Sequence, residues 1–154
     1  MIQIYETVKK IKRIHDEIRK EEHRFICHAQ MIGTTISKVT VNPVFEDRYF
    51  DLVMFDEVSM AYVPQVIVAA AAAKEKFMCV GDFRQLAPIA QSEESKGVLQ
   101  MDMFKYLGII NGNGDMFYHP WLVMLNEQRR MHPDISAFVN RYVYKNLLKD
   151  YKDE

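Results

Sequence analysis

The segment Phe50-Asp51-Leu52-Val53-Met54-Phe55-Asp56-Glu57 constrains the fold most: an apolar run of strand length stops abruptly at two adjacent carboxylates. Carboxylates abutting a buried strand are costly unless something engages them. In open α/β sheets ligands bind in the crevice beyond the strand C-termini, so Asp56 and Glu57 would face such a crevice. An Asp placed there can hold a magnesium ion, directly or through water, and a neighbouring Glu can orient or deprotonate an attacking water. Taken alone, the motif is equally well explained as a strand followed by an ordinary acidic turn.

Further apolar runs at Phe25–Ile32, Phe77–Val80 and Trp121–Leu125 alternate with segments of helical character, the pattern of a parallel sheet with crossover helices. Ile4, Val8, Ile11 and Ile18 predict an amphipathic helix running to about Arg24. Its other face carries Lys9, Lys10, Lys12, Arg13, Arg19, Lys20 and Arg24 against Glu6, Asp16, Glu17, Glu21 and Glu22, a solvated face of mildly basic character. Pro64 opens a helix that runs through Ala69–Ala73 to about Lys76. Pro133 opens a last helix with Ile135, Phe138, Val139, Tyr142 and Val143 on its buried side. Between them, Gly108–Asp115 reads as a flexible surface loop.

Composition narrows the function classes. With 49% hydrophobic and 27% charged residues, the 154-residue chain fits one compact domain. A net charge of −1 carries no overall signature of polyanion binding, which leaves nucleic acid only a local patch. The longest apolar run, Val66–Ala73, is far too short to cross a bilayer, and the charged N-terminal stretch has no secretory core, so no membrane partner is expected. Cys27 and Cys79 sit in expected strands and suit reduced core thiols, hence a cytoplasmic location, or a nuclear one in a eukaryote. His23, Cys27 and His28 lie close together, but no second ligand pair follows at zinc spacing.

Two more segments carry chemistry. The strand Phe77–Val80 runs into Gly81-Asp82-Phe83-Arg84-Gln85-Leu86-Ala87-Pro88, where Gly81 permits a sharp turn and Asp82 and Gln85 aim at the same crevice. A neutral amide such as Gln85 can sense a terminal phosphate without neutralising it. The stretch Leu125-Asn126-Glu127-Gln128-Arg129-Arg130-Met131-His132-Pro133-Asp134-Ile135 delivers two arginines from a strand just before a helix begins. A guanidinium at that edge can stabilise charge on a transferring phosphoryl group.

Together the three segments resemble the superfamily 1 helicases of the nonsense-decay and DNA-replication-nuclease branch, built on RecA-like P-loop ATPase domains. Asp56-Glu57-Val58-Ser59-Met60 resembles their motif II, Gly81–Pro88 their motif III, and Gln128-Arg129-Arg130-Met131-His132-Pro133 their Gln-Tyr-Arg-Met-His-Pro signature. Ile32-Gly33-Thr34-Thr35 with Ser37-Lys38 is similar to the segment that contacts single-stranded nucleic acid. The likeness covers about Ile32 to Leu148. It implies an α/β fold, a partial RecA-like P-loop NTPase domain whose mostly parallel sheet is flanked by helices, with ATP and Mg²⁺ as cofactors. It also implies Asp56 as the Mg²⁺ carboxylate, Glu57 as the catalytic base, Gln85 as the γ-phosphate sensor and Arg130 as a phosphate-contacting arginine. Asp82 and Arg129 would stand beside the nucleotide, and Thr34 and Thr35 beside the nucleic acid. Arg129 replaces the family's usual tyrosine against the nucleotide base, where its planar guanidinium can still stack.

No phosphate-cradling G-x-x-x-x-G-K-[ST] occurs: none of Gly33, Gly81, Gly97, Gly108, Gly112 and Gly114 is followed by Lys and then Ser or Thr. Residues 1–154 are therefore expected to be the later part of a first ATPase domain. Within it, 1–24 would be the amphipathic helix, 25–133 the sheet with the motifs, and 134–154 the helix leading to a hinge. The expected activity is that of an ATP-dependent helicase, a hydrolase, acting on single-stranded DNA or RNA. It is inactive without the upstream phosphate loop and the second RecA-like domain. Loss of the phosphate-loop strand from mid-sheet would leave two unpaired edges and favour self-association, unless the N-terminal helix covers the gap. Two other readings compete. One is a non-catalytic remnant that binds nucleic acid or protein; the other is a small phosphatase or nuclease with Asp56, Glu57 and Asp82 around a metal.

Overall fold

The computed structural model describes residues 2–46, 48–111 and 113–151. Gly112 of the expected loop and residues 152–154 of the expected last segment lie outside the described residues. The chain divides into two compact units. The first holds the chain up to Phe55 together with Pro64–Met78, and the second holds Asp56–Val63 and the chain from Cys79 onward.

In the first unit, helix α1 spans Ile2–His28 and α2 spans Ile36–Val41, followed by a 3-10 turn at Pro43–Phe45. Strand β1 (Phe50–Phe55), helix α3 (Val63–Ala70) and strand β2 (Ala73–Cys79) come next, and β1 pairs with β2. The Phe50 N–H, at the start of β1, donates to Ala72 O, just before the start of β2, at 2.8 Å. Start meets start, so the strands run parallel, with α3 as the crossover. Ile26, Phe45, Phe55, Val66 and Ala69 form the buried apolar positions here.

Two expectations fail in this unit. The run Phe25–Ile32 is not a strand, because α1 continues to His28 and Ala29 N–H still donates to Phe25 O at 2.9 Å. Nothing between Ile2 and Gly33 breaks a helix, and helical hydrogen bonds are local, whereas a strand exists only with a partner. Cys27 consequently lies on a helix, with its Sγ 3.5 Å from His23 Nε2. The Ile4, Val8, Ile11, Ile18 row is exposed. The alanine helix, in turn, stops at Ala70, so Ala73–Lys76 belong to β2. Sheet pairing overrides the helix preference of alanine.

The second unit contains a 3-10 turn at Val58–Met60, short helices α4 (Lys96–Leu99) and α5 (Met103–Tyr106), strand β3 (Glu127–Gln128), helix α6 (Pro133–Tyr142) and strand β4 (Lys149–Asp150). Val58, Val63, Ala90, Met103, Phe104 and Ile110 are its buried apolar residues. Buried Asp102 caps α5, with Oδ1 accepting from Phe104 N at 2.9 Å and from Lys105 N at 3.0 Å.

Three expectations are corrected here. Trp121–Leu125 forms no strand: Trp121 is 90% exposed, and only Glu127–Gln128 pairs, in parallel, with Lys149–Asp150. The described strands therefore form two two-stranded sheets. The described residues on either side of Gly112 are tied together rather than loose: Ile110 is buried and bridges Met116, and Asn111 Oδ1 accepts from Asn113 N and Asp115 N at 2.9 Å each. Helix α6 leaves Ile135, Phe138, Tyr142 and Val143 exposed and Val139 half-buried. It docks through polar groups instead. Ser136 donates to the Asp150 carboxylate, and Asn140 exchanges two 2.9 Å hydrogen bonds with the Leu148 backbone.

Val66 is fully buried and Ile11 is exposed, so they define opposite limits of sensitivity. Val66→Ala is expected to cost about 1–3 kcal/mol in urea denaturation. Ile11→Ala should change stability by less than about 0.5 kcal/mol.

Candidate nucleotide site

Strand β1 ends on buried Phe55 and hands the chain to two exposed carboxylates. Asp56 Oδ1 accepts from Glu57 N–H at 3.0 Å, and the side chain is exposed. Glu57 adopts φ 53° and ψ 38°, the left-handed region, at a cost of about 1–2 kcal/mol for a residue with a Cβ. Buried Val58 and Ser59 lock the turn that follows, where Met60 N–H donates to Glu57 O at 3.0 Å.

The second loop is wedged against the first. A Cβ on Gly81 would lie 3.1 Å from the backbone nitrogens of both Val58 and Ser59, and 3.2 Å from Val58 Cγ1. Val58 N–H already donates to Val80 O, so that backbone cannot retreat without losing the bond. A Cβ at 81 would make this backbone give by a few tenths of an ångström, so glycine suits the approach that brings the turn after Glu57 beside the Gly81–Gln85 turn.

Asp82 is the hub of that turn. Its Oδ1 accepts from Arg84 N–H at 3.0 Å, and its Oδ2 accepts from Gln85 Nε2 at 2.8 Å and from the Tyr144 hydroxyl at 2.5 Å. The carboxylate is thus spent on organising protein groups and is not free to join Asp56 and Glu57 around a metal, which counts against the phosphatase reading. Arg84 donates to Val143 O at 3.1 Å and Gly114 O at 3.5 Å, and stacks over the Phe83 and Tyr144 rings. Burial pushes the Tyr144 phenol above its ordinary value, and its bond to Asp82 pushes it further. Sequence reading missed Arg84 and Tyr144 as site residues, since no spacing rule links positions 62 residues apart.

The arginine segment is folded by Gln128. Its Oε1 accepts from Arg130 N at 3.1 Å and Met131 N at 2.8 Å, while Nε2 donates to Met131 O and to the Asp150 carboxylate. Arg129 is turned aside, paired with Glu127 Oε1 at 2.7 Å and stacked 3.7 Å over the Tyr151 ring. That stack shows the guanidinium working as a flat surface, here against a protein ring. Arg130 is exposed and, among the described residues, forms no ion pair. Thr34 and Thr35 belong to the other unit, where both are exposed. Thr35 caps α2 by accepting from Lys38 N at 3.3 Å, and Lys38 pairs with Glu22 at 2.5 Å.

Among the described residues no three His, Cys, Asp or Glu side chains cluster as a metal site. The exposed Asp56 and Glu57 fit a magnesium ion that takes one or two protein carboxylates and completes its shell with water and phosphate oxygens. No described helix is long and apolar enough to cross a membrane.

A parallel βαβ unit that ends in two carboxylates fits part of a RecA-like α/β domain. The chain belongs to the AAA domain family, which matches residues 2–93. It is similar to the DNA replication ATP-dependent helicase/nuclease DNA2 of Gallus gallus, 26% identical over 154 residues that cover 90% of this chain and 15% of that protein. The probable helicase senataxin of Homo sapiens is 27% identical, covering 94% of this chain and 6% of its own length. The 5'-3' DNA helicase ZGRF1 of Mus musculus is 28% identical, covering 93% and 8%. The chain thus spans 15% or less of these three relatives and corresponds to a segment of superfamily 1 helicases.

Three outcomes follow from this geometry. Glu57→Gly should raise stability by about 1 kcal/mol through relief of the left-handed strain, read as a higher melting temperature. Gly81→Ala should lower stability by about 1–3 kcal/mol in the same assay. The Lys145 ammonium, then the Asn111 amide, holds the Asp115 carboxyl below its usual value. A lowered carboxyl contributes stability above its unfolded value and loses it as pH falls through the folded one, so this clip opens only on acidification below about pH 4. A ¹³C carboxyl titration should show the value rising in Lys145→Met.

Proposed function

We propose that this chain contributes the hydrolytic half of the nucleotide site in an ATP-dependent superfamily 1 helicase that moves on single-stranded DNA or RNA. The observation that supports it most is Glu57, held in a strained left-handed conformation on a turn wedged against Gly81. Strain of this kind concentrates at functional positions. In this reading Asp56 holds Mg²⁺, and the ion neutralises charge on the nucleotide phosphates when bound. Glu57 orients and deprotonates the attacking water, Gln85 senses the γ-phosphate, and exposed Arg130 meets phosphate charge. Asp82 acts through Gln85. Arg129, committed to Glu127 and Tyr151, stacks on the base only by exchanging partners. Thr34 and Thr35 contact the nucleic-acid strand.

The chain has no G-x-x-x-x-G-K-[ST] loop, so in this proposal hydrolysis needs the phosphate loop and second RecA-like domain of a longer protein. Exposed Leu52, Met54, Phe77 and Met78 on β1 and β2 are the surface that the phosphate-loop segment would cover, or that copies of the chain would share without it. The same absent loop favours a second reading, a binding remnant without turnover.

In the full-length protein, Glu57→Gln should lower Mg²⁺-dependent ATP hydrolysis stimulated by single strands by about 10²–10⁴-fold while nucleotide affinity stays within about twofold. Undiminished turnover removes Glu57 from the role of base. A full-length protein that binds single strands but never hydrolyses ATP establishes the remnant reading.

A further inference from the structure

Asp82 and Arg84 grip the same two consecutive residues beyond α6. The Asp82 carboxylate accepts the Tyr144 hydroxyl at 2.5 Å, and the Arg84 guanidinium donates to Val143 O at 3.1 Å while lying 6.0 Å over the Tyr144 ring. Gln85 is exposed; its Nε2 donates to the same Asp82 oxygen at 2.8 Å, and its side chain also lies within bonding reach of the Tyr144 phenol. One carboxylate oxygen therefore carries two donors, one from the nucleotide-site turn and one from the segment after α6. A short, charge-assisted O–H···O⁻ bond is the stronger and more directional of the two. It fixes the plane of the carboxylate, and that plane sets which way the Gln85 amide points.

We propose that Tyr144 is a positioning residue of this site. Through Asp82 its hydroxyl fixes the Gln85 amide and ties that amide to the chain segment that follows α6. This rests on the reading of Gln85 as the γ-phosphate sensor. The amide has two N–H donors and one carbonyl; Asp82 takes one N–H, the Tyr144 phenol lies beside the amide, and what these two leave unengaged can meet phosphate or water. Without the phenol, Asp82 keeps the Arg84 N–H on Oδ1 but loses the strongest donor on Oδ2, so the Gln85 amide is held in a less defined direction although every group that would touch the nucleotide is still present. Displacement of Val143 and Tyr144 would have the same effect, so the segment after α6 controls the sensor.

The test is Tyr144→Phe, which keeps the ring under Arg84 and removes only the hydroxyl. In the full-length protein its ATPase kcat is expected to fall about tenfold, with the nucleotide KM within about twofold. Because Tyr144 acts through Gln85, the Tyr144→Phe/Gln85→Ala double variant should be no slower than Gln85→Ala alone. Wild-type kcat in Tyr144→Phe, or losses that multiply in the double variant, overturns the proposal while leaving the sensor reading intact. Full turnover in Gln85→Ala overturns both. A second readout needs no activity. In the chain itself, the Gln85 side-chain ¹H–¹⁵N amide pair should shift in Tyr144→Phe while the Gln128 pair, bonded to Met131 and Asp150, stays in place. An unmoved Gln85 pair overturns the proposal.

Discussion

The hydrogen bond from Val58 N–H to Val80 O, with Gly81 pressed against the Val58 and Ser59 backbone, is the contact on which the site depends. It brings two loops to van der Waals distance. A side chain on residue 81 would push those loops apart. The cost would fall on a backbone bond and on fully buried Val58 and Ser59, which have no room to yield. The turn that follows Glu57 and the turn that begins at Gly81 meet because a single residue there has no Cβ.

That contact also explains how strain is sustained at Glu57. A left-handed non-glycine residue relaxes unless both flanks are fixed. Here Asp56 Oδ1 holds the Glu57 N–H, and the 3-10 turn anchored by Val58 takes up the Glu57 carbonyl. The carboxylate is thereby thrown outward, away from the buried side chains, where a water or an ion can meet it. Its neighbour loop is braced differently, by a carboxylate hub in which Asp82 serves Arg84, Gln85 and Tyr144 at once. One turn is held by backbone geometry and the other by charge-assisted hydrogen bonds.

Part of the placement was legible along the chain. Asp56 and Glu57 stand at a strand exit because the abrupt end of an apolar run marks the sheet rim, and β1 forms where its run lies. Other elements were misread for one recurring reason. Phe25–Ile32 and Trp121–Leu125 look like strands by composition, but a strand needs a neighbour, and composition does not reveal whether one is present. The first is helix as far as His28, which is stabilised locally, and the second leaves a turn at Trp121 without pairing to any described strand. Ala73–Lys76 went the other way, drawn from helix into strand by β1. The apolar face expected of α6 is exposed because Ser136 and Asn140 tether the helix by polar bonds that no hydrophobic pattern encodes.

The sequence by itself determined the local alphabet of the site: two carboxylates after an apolar run, a glycine-led turn, two arginines before a proline-started helix. Those are properties of consecutive residues, and adjacency suffices to read them. Only the tertiary structure decided which of these groups are free and which are committed. It turned Arg129 onto Glu127 and Tyr151, made Asp82 an internal hub, and delivered Tyr144 to it from 62 residues away. The physical reason is that a hydrogen bond or an ion pair is fixed by the position of two atoms in space. Chain order sets that position only within a turn or two, and beyond that the packing of elements does.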